Sequence, residues 1–522
     1  MFTAFLDCLA ALHGWRAHAA AASLGLLSAL ALPPVHALPV LLVAVPGLLV
    51  LLGGAPDWRA ALLRGFWFGF AHHVLGLCWL TDAILIEAAR YWWLVPLATP
   101  ATAAILATFV AAACLAAWFA RPGWPRAAAL AGAWVLADLA RQFVATGFPW
   151  NPWGADWAVP GGFGDVFLQP AAWIGVHGLT LLTLLVAATP GLGRRATALG
   201  AAALALWAGF GLWRLVAPPP SAPAVEIVLA QGNVAEGHKW DRALAVGIFQ
   251  HYLDLTREGV ARARAEAPGR TPVVVWPESA SPFLVAGDPT ARDMIAQAAG
   301  GAVVLAGSVR FDAAGQPRNS LVAVAGAGEP AALYDKWHLV PFGEYSPGWV
   351  PVAVQLVRGG GFASGPGPRT LHVAGLPSAG AVICYEAIFS AQVVDAADRP
   401  EWLVNVTNDA WFGASVGPRQ HLAAARLRAA EEGLPLMRAA NTGISAAYDA
   451  YGREQARLGI GVAGVVVTGL SGALPATVFA RFGLVIPGAL AALALAMGYS
   501  SFLRNYIRYA GKSGILDDIP IK

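Results

Sequence analysis

Three side chains that can take part in nucleophilic chemistry each follow a short apolar run in the second half of the chain. Glu278 ends the segment ValValTrpProGlu, Lys336 lies in TyrAspLysTrpHis, and Cys384 lies in ValIleCysTyrGlu. Functional groups of an α/β sheet gather at the ends of strands, so residues far apart in the sequence can meet there. The sequence therefore predicts one site that holds a carboxylate, an ammonium and a thiol.

These three residue types suit covalent catalysis. A cysteine attacks as its thiolate, but a free thiol, with a pKa of about 8.5, is mostly protonated at neutral pH. Glu278 is the predicted general base that takes the thiol proton. Lys336, as a cation, is predicted to stabilise the developing oxyanion and to lower the pKa of the thiol. Cys384 is the predicted nucleophile.

Each residue also has an ordinary structural interpretation. A lone cysteine in a buried strand usually packs as a small hydrophobe, Glu278 could cap a turn, and Lys336 could be a solvated loop charge. Taken together, the three favour catalysis. The other three cysteines form neither CxxC pairs nor metal-ligand spacings with histidine. The sequence therefore predicts no disulfide framework, no metal and no cofactor.

The elements that must position these residues belong to an α/β pattern between residues 220 and 474. This segment follows a proline-rich linker at 218–223, and a helical pattern occupies 241–266. Its short β-branched runs are ValGluIleValLeuAla, ThrProValValValTrp, AlaValValLeuAlaGly, AlaValIleCysTyr and TrpLeuValAsnValThr. We expect a membrane domain at 1–219, a catalytic domain at 220–474, and a last helix with a cytoplasmic tail at 475–522.

The remainder of the chain has the composition of a membrane protein. Hydrophobic residues make up 57% of the chain and charged residues only 12%, with a mean hydropathy of +0.58. A membrane-spanning helix needs about 20 apolar residues. Eight stretches fit this pattern, with approximate cores at 19–34, 37–54, 65–86, 93–119, 126–144, 166–189, 196–217 and 478–500. The start has no early basic cluster followed by a small-residue cleavage pattern, so we expect it to be retained.

Basic residues in the short loops predict the orientation, because lysine and arginine are retained on the cytoplasmic side. If the chain has eight spans, ten basic residues fall on one face of the membrane: Arg16, Arg59, Arg64, Arg121, Arg126, Arg194, Arg195, Arg504, Arg508 and Lys512. The opposite loops offer only Arg90, and Arg141 if the fifth span ends before it. Both ends are then cytoplasmic, and 220–474 is extracytoplasmic. The net charge of +3 leaves no large basic field, which argues against a nucleic-acid partner.

Asp138 and Arg141 lie three residues apart near the outer end of the predicted fifth span, close enough on a helix to pair. A charge within a membrane is often functional. We favour a structural pair, because buried charges are usually paired. His72, His73 and His177 show no convergent metal pattern and are interpreted as structural.

Several longer segments carry a resemblance to a known family. In chain order they are TGFPWNPWG, WPES, DKWHLVPFGEY, ICYE, NVTNDAWFG and GLPLMRAANTG. By these segments the chain resembles the nitrilase superfamily and, within it, the apolipoprotein N-acyltransferase family. The resemblance covers essentially the whole chain. It implies an eight-helix membrane bundle with an inserted nitrilase-like α-β-β-α sandwich, in a bacterial inner membrane with the catalytic domain on the periplasmic side.

The resemblance also implies a reaction and its partners. Cys384 would take an acyl chain from a membrane phospholipid, with phosphatidylethanolamine as the expected donor, and hold it as a thioester. The α-amino group of an N-terminal diacylglyceryl-cysteine on a lipoprotein would then accept the chain. Eight spans fit a substrate drawn from lipid, because lateral entry avoids extracting acyl chains into water, at about 0.8 kcal/mol per CH₂.

Further site residues are implied in the same way. Glu344 would be a second acid that positions Lys336 and the incoming nucleophile, while Tyr385 and Glu386 would shape the pocket behind the cysteine. Trp240 would contact lipid or gate the entrance, although interfacial anchoring is the ordinary role of a tryptophan in a chain with 21 of them. Two aromatic residues, Trp150 and Phe412, are candidates for a lipid cradle.

Two other functions compete with acyl transfer. A membrane-anchored nitrilase-like amidase would use the same catalytic residues and let water resolve the acyl-enzyme. A non-enzymatic transporter or lipoprotein-binding receptor would need none of them, and it is opposed by the intact set of Glu278, Lys336 and Cys384. Spans rich in paired charges, as in many transporters, are also missing from the sequence.

Overall fold

The computed structural model describes residues 2–86, 88–326, 328–348 and 361–512, with side chains up to residue 500. The part of the predicted tail after residue 512 lies outside the described residues. The first half of the chain is helical. Its α-helices are α1 (Phe2–Ala10), α2 (Gly14–Ala29), α3 (Leu41–Gly53), α4 (Trp58–Gly76), α5 (Leu80–Leu85), α6 (Ala88–Tyr91), α7 (Val95–Phe119), α8 (Trp124–Phe143), α9 (Gly162–Phe167), α10 (Ala171–Ala188) and α11 (Arg194–Val216).

Each of the eight predicted apolar stretches contains a helix, although the bounds differ. The predicted third stretch, 65–86, is divided into α4 and α5, and the sixth, 166–189, is divided at Pro170. Among the described residues, three helical segments are long and apolar enough to cross a membrane: Ala88–Phe119, Ala171–Leu192 and Arg194–Val216. The number of spans stays a prediction.

The predicted pair in the helical half is present. Arg141 donates to the Asp138 carboxylate at 3.0 Å, and both side chains are buried in α8. The backbone carbonyl of Arg141 accepts from the amide of Phe148, at 2.9 Å. The pair therefore lies at the base of the loop that runs to Trp150.

The second half of the chain contains two six-stranded sheets. One has the order β12-β1-β2-β3-β4-β5 and the other β11-β10-β9-β8-β7-β6. The strands are β1 (Val225–Gln231), β2 (Thr271–Val275), β3 (Val303–Phe311), β4 (Pro317–Val324), β5 (Ala332–Asp335), β6 (Thr370–Leu371), β7 (Ala379–Ile383), β8 (Trp402–Thr407), β9 (Leu436–Ala440), β10 (Ser445–Tyr448), β11 (Glu454–Leu458) and β12 (Gly464–Gly469). β1, β2 and β3 are parallel, as are β7, β8 and β9.

Helices cover the outer faces of these sheets. The helices of this half are α12 (Glu236–Lys239), α13 (Ala245–Glu266), α14 (Pro289–Ala299), α15 (Gly417–Glu432), α16 (Val478–Phe482) and α17 (Val485–Lys512). α13 and α14 pack on the first sheet, and α15 packs on the second. Buried side chains from both sheets form one core between them, so the predicted α/β domain with two sheets is confirmed.

Candidate active site

The ends of strands from both sheets bring the three predicted catalytic residues into one buried cluster. Glu278 follows β2 by three residues, Lys336 directly follows β5, and Cys384 directly follows β7. Their exposed fractions are 6%, 1% and 6%, respectively. The backbone amide of Lys336 also donates to the carbonyl of Asn319 in β4, at 2.8 Å, which fixes the end of β5.

Lys336 lies between two carboxylates. Its Nζ is 3.0 Å from Oε1 of Glu278 and 2.9 Å from Oε2 of Glu344. Glu344 is held in turn by the backbone amide of Val340, which donates to its Oε2 at 2.8 Å. A buried ammonium with two carboxylate partners is fixed in position and in charge.

Two asparagines that the sequence analysis did not single out complete this cluster. Asn319 Nδ2 donates to Oε1 of Glu278 at 2.7 Å and to Oε1 of Glu344 at 2.9 Å. The backbone amide of Asn408 donates to Oε2 of Glu278 at 2.9 Å. Asn408 lies inside the NVTNDAWFG segment, which was a usable signal, whereas Asn319 lies in β4 and in none of the segments that carry the resemblance. Both oxygens of Glu278 are therefore held by donors.

The charges of the cluster determine which group carries a proton. Burial would raise the pKa of Glu278, but the ammonium groups of Lys336 and Lys239 and the donated hydrogen bonds hold it below its usual value. Burial would lower the pKa of Lys336, but the two carboxylates raise it well above its usual value. Burial raises the pKa of the Cys384 thiol; Glu278 raises it further, and Lys336 opposes this. The resting site thus holds a carboxylate, an ammonium and a protonated thiol.

The predicted effect of Lys336 on the thiol is only one part of this balance. Lys336 does lower the pKa of Cys384, as predicted, but burial and the Glu278 carboxylate outweigh it. A thiolate is therefore not present at rest. The thiol has to lose its proton as it attacks, which needs a base beside it.

The backbone at Cys384 has a conformation that most residues avoid. Its φ is +49°, at the junction between β7 and a 3₁₀ helix at Cys384–Ile388. The buried Glu386 carboxylate stabilises this turn, because it accepts from the amide of Ile383 at 2.6 Å and from the amide of Trp337 at 2.7 Å. The hydroxyl of Tyr334 donates to the same carboxylate at 2.8 Å. Glu386 therefore joins the turn of the cysteine to the loop of Lys336.

A second buried network lies behind the cysteine. His421 Nε2 donates to the backbone carbonyl of Cys384 at 2.9 Å, and its Nδ1 lies 2.9 Å from Asp409 Oδ1. Arg438 donates to the other oxygen of Asp409 at 2.7 Å. Burial would raise the pKa of Asp409, but Arg438 and His421 lower it to about 2. The sequence analysis did not find this network, although Asp409 lies within NVTNDAWFG.

Tyr385 and Trp240 connect the cluster to different parts of the molecule. The Tyr385 hydroxyl donates to the carbonyl of Gly147 at 2.7 Å, which joins the cysteine turn to the helical half. Trp240 is 44% exposed, and its Nε1 donates to Glu236 at 3.1 Å. Glu236 also accepts from Asn408 Nδ2, at 2.5 Å. A chain of hydrogen bonds therefore runs from Trp240 to the residue that holds Glu278.

The two predicted cradle residues lie in one aromatic cluster. The ring of Trp79 is 4.7 Å from that of Trp150 and 4.6 Å from that of Phe412, measured between centroids. Trp150 is buried and donates from Nε1 to Gln420 at 2.8 Å, while Phe412 is half-buried. Tyr385 and the Cys384–Ile388 turn pack on the same cluster through Phe148. The structure thus places these rings next to the cysteine turn.

Family models match both halves of the chain. Residues 24–189 match the apolipoprotein N-acyltransferase N-terminal domain, and residues 243–473 match the carbon-nitrogen hydrolase domain. With the two-sheet fold and the buried Glu278–Lys336–Cys384 cluster, the second match defines the class of the catalytic half. It is a carbon-nitrogen hydrolase domain of the nitrilase-like type.

Whole-chain relatives identify the family. The apolipoprotein N-acyltransferase of Rhodopseudomonas palustris is 37% identical over 516 residues, covering 92% of this chain and 94% of the relative. That of Bradyrhizobium diazoefficiens is 38% identical over 521 residues, with the same coverage, and that of Allorhizobium ampelinum is 39% identical over 484 residues, covering 87% and 90%. The chain belongs to the apolipoprotein N-acyltransferase family, and it is an acyltransferase.

Solved structures similar to the chain cover about half of it. The carbon-nitrogen hydrolase from Helicobacter pylori G27 is 16% identical, covers 47% of this chain and 88% of that chain, and has a TM-score of 0.34. An amidase from Nesterenkonia sp. is 20% identical, covers 50% of this chain and 94% of that chain, and has a TM-score of 0.35.

Proposed function

We propose that this enzyme takes an acyl chain from a membrane phospholipid onto Cys384 and passes it to the α-amino group of an N-terminal diacylglyceryl-cysteine on a lipoprotein. Family membership supports acyl transfer to a lipoprotein. The observation that carries the assignment of residues is the buried ammonium of Lys336 between Glu278 and Glu344, whose charges act on the thiol of Cys384.

In the first half-reaction, Glu278 accepts the thiol proton as Sγ of Cys384 attacks the ester carbonyl of the phospholipid. The negative charge that develops on the carbonyl oxygen is stabilised by the Lys336 ammonium, which is already fixed in place. The C–O bond of the ester then breaks, and Glu278 returns the proton to the leaving alcohol. The products are a thioester on Cys384 and a lysophospholipid.

In the second half-reaction, the lipoprotein amine attacks the thioester carbonyl. Glu278 accepts a proton from the amine as the C–N bond forms, and the same proton passes to the sulfur as the C–S bond breaks. The products are an amide on the lipoprotein and the free thiol. Two products released in sequence from one site predict ping-pong kinetics.

The surrounding residues are assigned positioning roles. Glu344 holds Lys336 and lies where it can orient the incoming amine. Glu386 holds the turn of Cys384, and Tyr385 anchors that turn to the helical half. Trp240 is assigned to the entrance, because it is half exposed and is bonded to Glu236.

The aromatic cluster of Trp150 and Phe412 is assigned to the acyl chain. These rings pack beside the turn that carries Cys384, with Trp150 coming from the helical half and Phe412 from the catalytic domain. A bound acyl chain is apolar, so it favours contact with such rings over contact with water.

The membrane placement follows from the reaction. A phospholipid ester lies at the bilayer interface, so the catalytic domain must reach that interface. We divide the chain into 1–219, 220–474 and 475–522, with eight spans. This division places the catalytic domain on the outer face of a bacterial inner membrane. Both ends are then cytoplasmic. Phosphatidylethanolamine is the proposed donor, and a diacylglyceryl lipoprotein is the proposed acceptor.

The test is direct trapping of the intermediate. Purified enzyme is incubated with phosphatidylethanolamine labelled in its acyl chain, and protein-bound label is measured before and after hydroxylamine treatment. We expect a hydroxylamine-sensitive adduct in the wild type and in Cys78→Ala, and none in Cys384→Ala. Addition of a diacylglyceryl lipopeptide should then move the label to its amino group. Retention of the adduct in Cys384→Ala would overturn the proposal, and release of the label only as free acid would indicate an amidase-like hydrolase.

A further inference from the structure

A cavity of about 590 Å³ lies where the helical half meets the catalytic domain. One wall is formed by the end of α11, with Trp213 and Val216, and another by the start of α10, with Trp173. The segment 474–478, where the chain leaves the catalytic domain, closes the third side. None of the residues assigned above to catalysis lines this cavity.

Two arginines, Arg214 and Arg481, line this cavity, and most of its other lining residues are apolar. Arg214 donates to Gln169 Oε1 at 2.6 Å, and its guanidinium lies 5.3 Å from the centre of the Tyr451 ring. Arg481 donates from Nε to the carbonyl of Ala476 at 3.1 Å. Among the residues that the structure describes, neither guanidinium has a carboxylate oxygen within 4.0 Å.

Asp449, the acidic residue that interacts with Arg214, already forms an ion pair with another arginine. Asp449 acts on Arg214 at longer range, but its Oδ2 is 2.6 Å from Nε of Arg453. Neutral partners therefore hold Arg214 and Arg481, and their two positive charges are left without a fixed counter-ion. Each guanidinium can bind the oxygens of a phosphate well, because it donates two hydrogen bonds in one plane.

The apolar wall continues from the arginines along the helices. Trp173, Trp213 and Val216 are 47%, 65% and 82% exposed, which are large fractions for such side chains. Tryptophan and tyrosine are typical of the interface between a membrane and water. α11 ends at Val216 just before the chain enters the catalytic domain, and α16 starts just after the chain leaves it. In the membrane placement proposed above, on which this step rests, the cavity lies at the level of the lipid phosphates.

We propose that this cavity binds one anionic phospholipid that is not the acyl donor. Its phosphate lies between Arg214 and Arg481, and one acyl chain runs down along Trp213 and Trp173. An anionic lipid is the occupant because two uncompensated positive charges favour a ligand with net negative charge. The bound lipid bridges the segments on either side of the catalytic domain, and so holds this domain to the helical half.

Native mass spectrometry of the full-length enzyme in detergent tests this. Dioleoyl phosphatidylglycerol is titrated into delipidated protein, with dioleoyl phosphatidylcholine and inorganic phosphate as separate arms. We expect one tightly retained phosphatidylglycerol, weaker binding of phosphatidylcholine, and no competition from inorganic phosphate. Arg481→Gln should bind phosphatidylglycerol roughly tenfold more weakly, since a charge-assisted hydrogen bond is lost. Arg214→Gln combined with Arg481→Gln should abolish the tight site.

Two further variants separate the site from general effects. Ala476→Phe fills the cavity and keeps both arginines, and it should also remove the tightly bound lipid. Arg90→Gln is the matched control, because Arg90 is exposed and lies 5.2 Å from the Tyr91 ring but does not line the cavity. It should bind as the wild type does.

The outcomes also distinguish this proposal from that of the catalytic site. Cys384→Ala should keep the phosphatidylglycerol site and lose the acyl-enzyme, while Arg481→Gln should still form the acyl-enzyme. The lipid-site proposal is wrong if Arg481→Gln and Ala476→Phe both bind phosphatidylglycerol as the wild type does, or if phosphatidylcholine binds equally well. Equal weakening in Arg90→Gln would also overturn it, because binding would then reflect total charge.

Discussion

At the scale of single residues, the proposed base, cation and nucleophile share one buried site. Glu278, Lys336 and Cys384 are each almost fully buried, so their charges interact strongly and water competes little. The ammonium groups of Lys336 and Lys239 and the hydrogen bond from Asn319 hold the pKa of Glu278 below its usual value in spite of its burial. The proton that moves during the reaction therefore starts on sulfur and not on the carboxylate.

This arrangement predicts an unusual dependence of thioester formation on pH. With the pKa of Glu278 lowered and that of Cys384 raised, the reactive pair keeps one shared proton over a wide range. We expect the single-turnover rate to be nearly constant between about pH 6 and 8, and to fall only in acid as Glu278 becomes protonated, below the usual range for glutamate. The contribution of Glu278 to the free energy of unfolding should likewise be present above the pKa that Glu278 has in the unfolded chain. It should be lost as the pH falls through the lowered pKa that Glu278 has in the folded protein.

The rate would depend on pH in a different way if the Cys384 thiol lost its proton to solvent and not to Glu278. The rate would then rise about tenfold per pH unit across the same range, because the pKa of the thiol lies above it. Such a rise in the wild type would contradict the role given to Glu278. The same rise, at a much lower rate, is expected for Glu278→Gln, in which the base is removed. Thioester formation measured by rapid quench distinguishes the two profiles.

Replacing Lys336 with methionine should damage both stability and activity. It leaves two buried carboxylates, Glu278 and Glu344, without the ammonium between them. Breaking a buried ion pair from one side costs about 3–5 kcal/mol. We expect a lower unfolding midpoint at pH 7 and no detectable acyl-enzyme.

A second change separates these two effects. Adding Glu344→Gln to Lys336→Met removes one of the two unpaired charges, so it should recover part of the lost stability. Activity should not return, because the cation is still missing. An acyl-enzyme in the double variant would show that Lys336 does not stabilise the oxyanion.

At the scale of elements, the neighbouring strands fix where the catalytic groups lie. Gly307 in β3 packs directly against the segment that carries Glu278. A Cβ at this position would lie 1.9 Å from the carbonyl oxygen of Pro277 and 2.8 Å from Cα of Glu278. Because residue 307 of β3 is a glycine, the segment that follows β2 can pack against it and place the Glu278 carboxylate beside Lys336.

Gly307→Ala is thus expected to move Glu278 without altering any catalytic group. Overpacking against backbone costs about 1–3 kcal/mol, and a displacement of about 1 Å can reduce a rate by about 100-fold. We expect a lower unfolding midpoint and slower formation of the acyl-enzyme from labelled phospholipid.

Gly247→Ala is the matched control for this change. Gly247 lies in α13, and a Cβ there meets no atom within 4 Å. Replacement of glycine within a helix stabilises it by roughly 0.5–1 kcal/mol, so activity should be unchanged and stability slightly higher. Equal activity in the Gly247 and Gly307 variants would mean that the close contact in β3 does not position the base.

At the scale of the whole molecule, α15 joins the two halves. Its Leu422 and Ala425 pack on the second sheet, while Ala423 and Leu427 pack with Trp157 and its neighbours in the helical half. Some of its polar side chains also bond across this junction, and the helix is buried on nearly every side. The catalytic domain therefore uses the helical half as part of its own core.

Arg426 provides a test of this junction. From α15 it donates to Asp165 at 2.6 Å and to the carbonyl of Val159 at 2.7 Å, both in the helical half. Arg426→Gln should weaken docking by roughly 1–3 kcal/mol, the cost of unsatisfied buried groups. We expect faster hydrogen exchange in α15 and slower acylation by vesicle phospholipid, with attack on a small soluble thioester retained.

The control for this change is Arg457→Gln, which removes a partly exposed pair with Glu454 within the catalytic domain. It should leave both reactions unchanged, since pairs of this kind contribute about 0–1 kcal/mol. Equal loss of both reactions in Arg426→Gln would assign that arginine to the chemistry of the site instead of to docking.

Much of the site could be predicted from the sequence because its key residues lie next to patterned strands. The runs before Glu278 and Cys384 are β-branched and are flanked by turn residues, and they form β2 and β7 as expected. The helix predicted over 241–266 is present as α13. Local pattern was sufficient here because these segments are apolar enough to require burial wherever they pack.

Other strands were not predicted, because their sequences lack that pattern. β9 contains Arg438, and β11 is largely polar, so neither has the composition of a buried strand. Arg438 is nevertheless completely buried, since Asp409 and Asn405 accept its hydrogen bonds. Partners so far away in the chain are invisible to a local pattern.

Local sequence was enough to predict the composition of the membrane half, the apolar strands that carry the site, and the three candidate residues at their ends. The folded structure was needed to show that Asn319 and Asn408 hold Glu278, that His421 bonds to the backbone of Cys384, and that a polar α15 is buried between the two halves. These contacts could not be predicted because hydrogen bonds and ion pairs depend on distance in space. A polar residue reveals its role only when the fold shows which groups shield it from water and which of them bond to it.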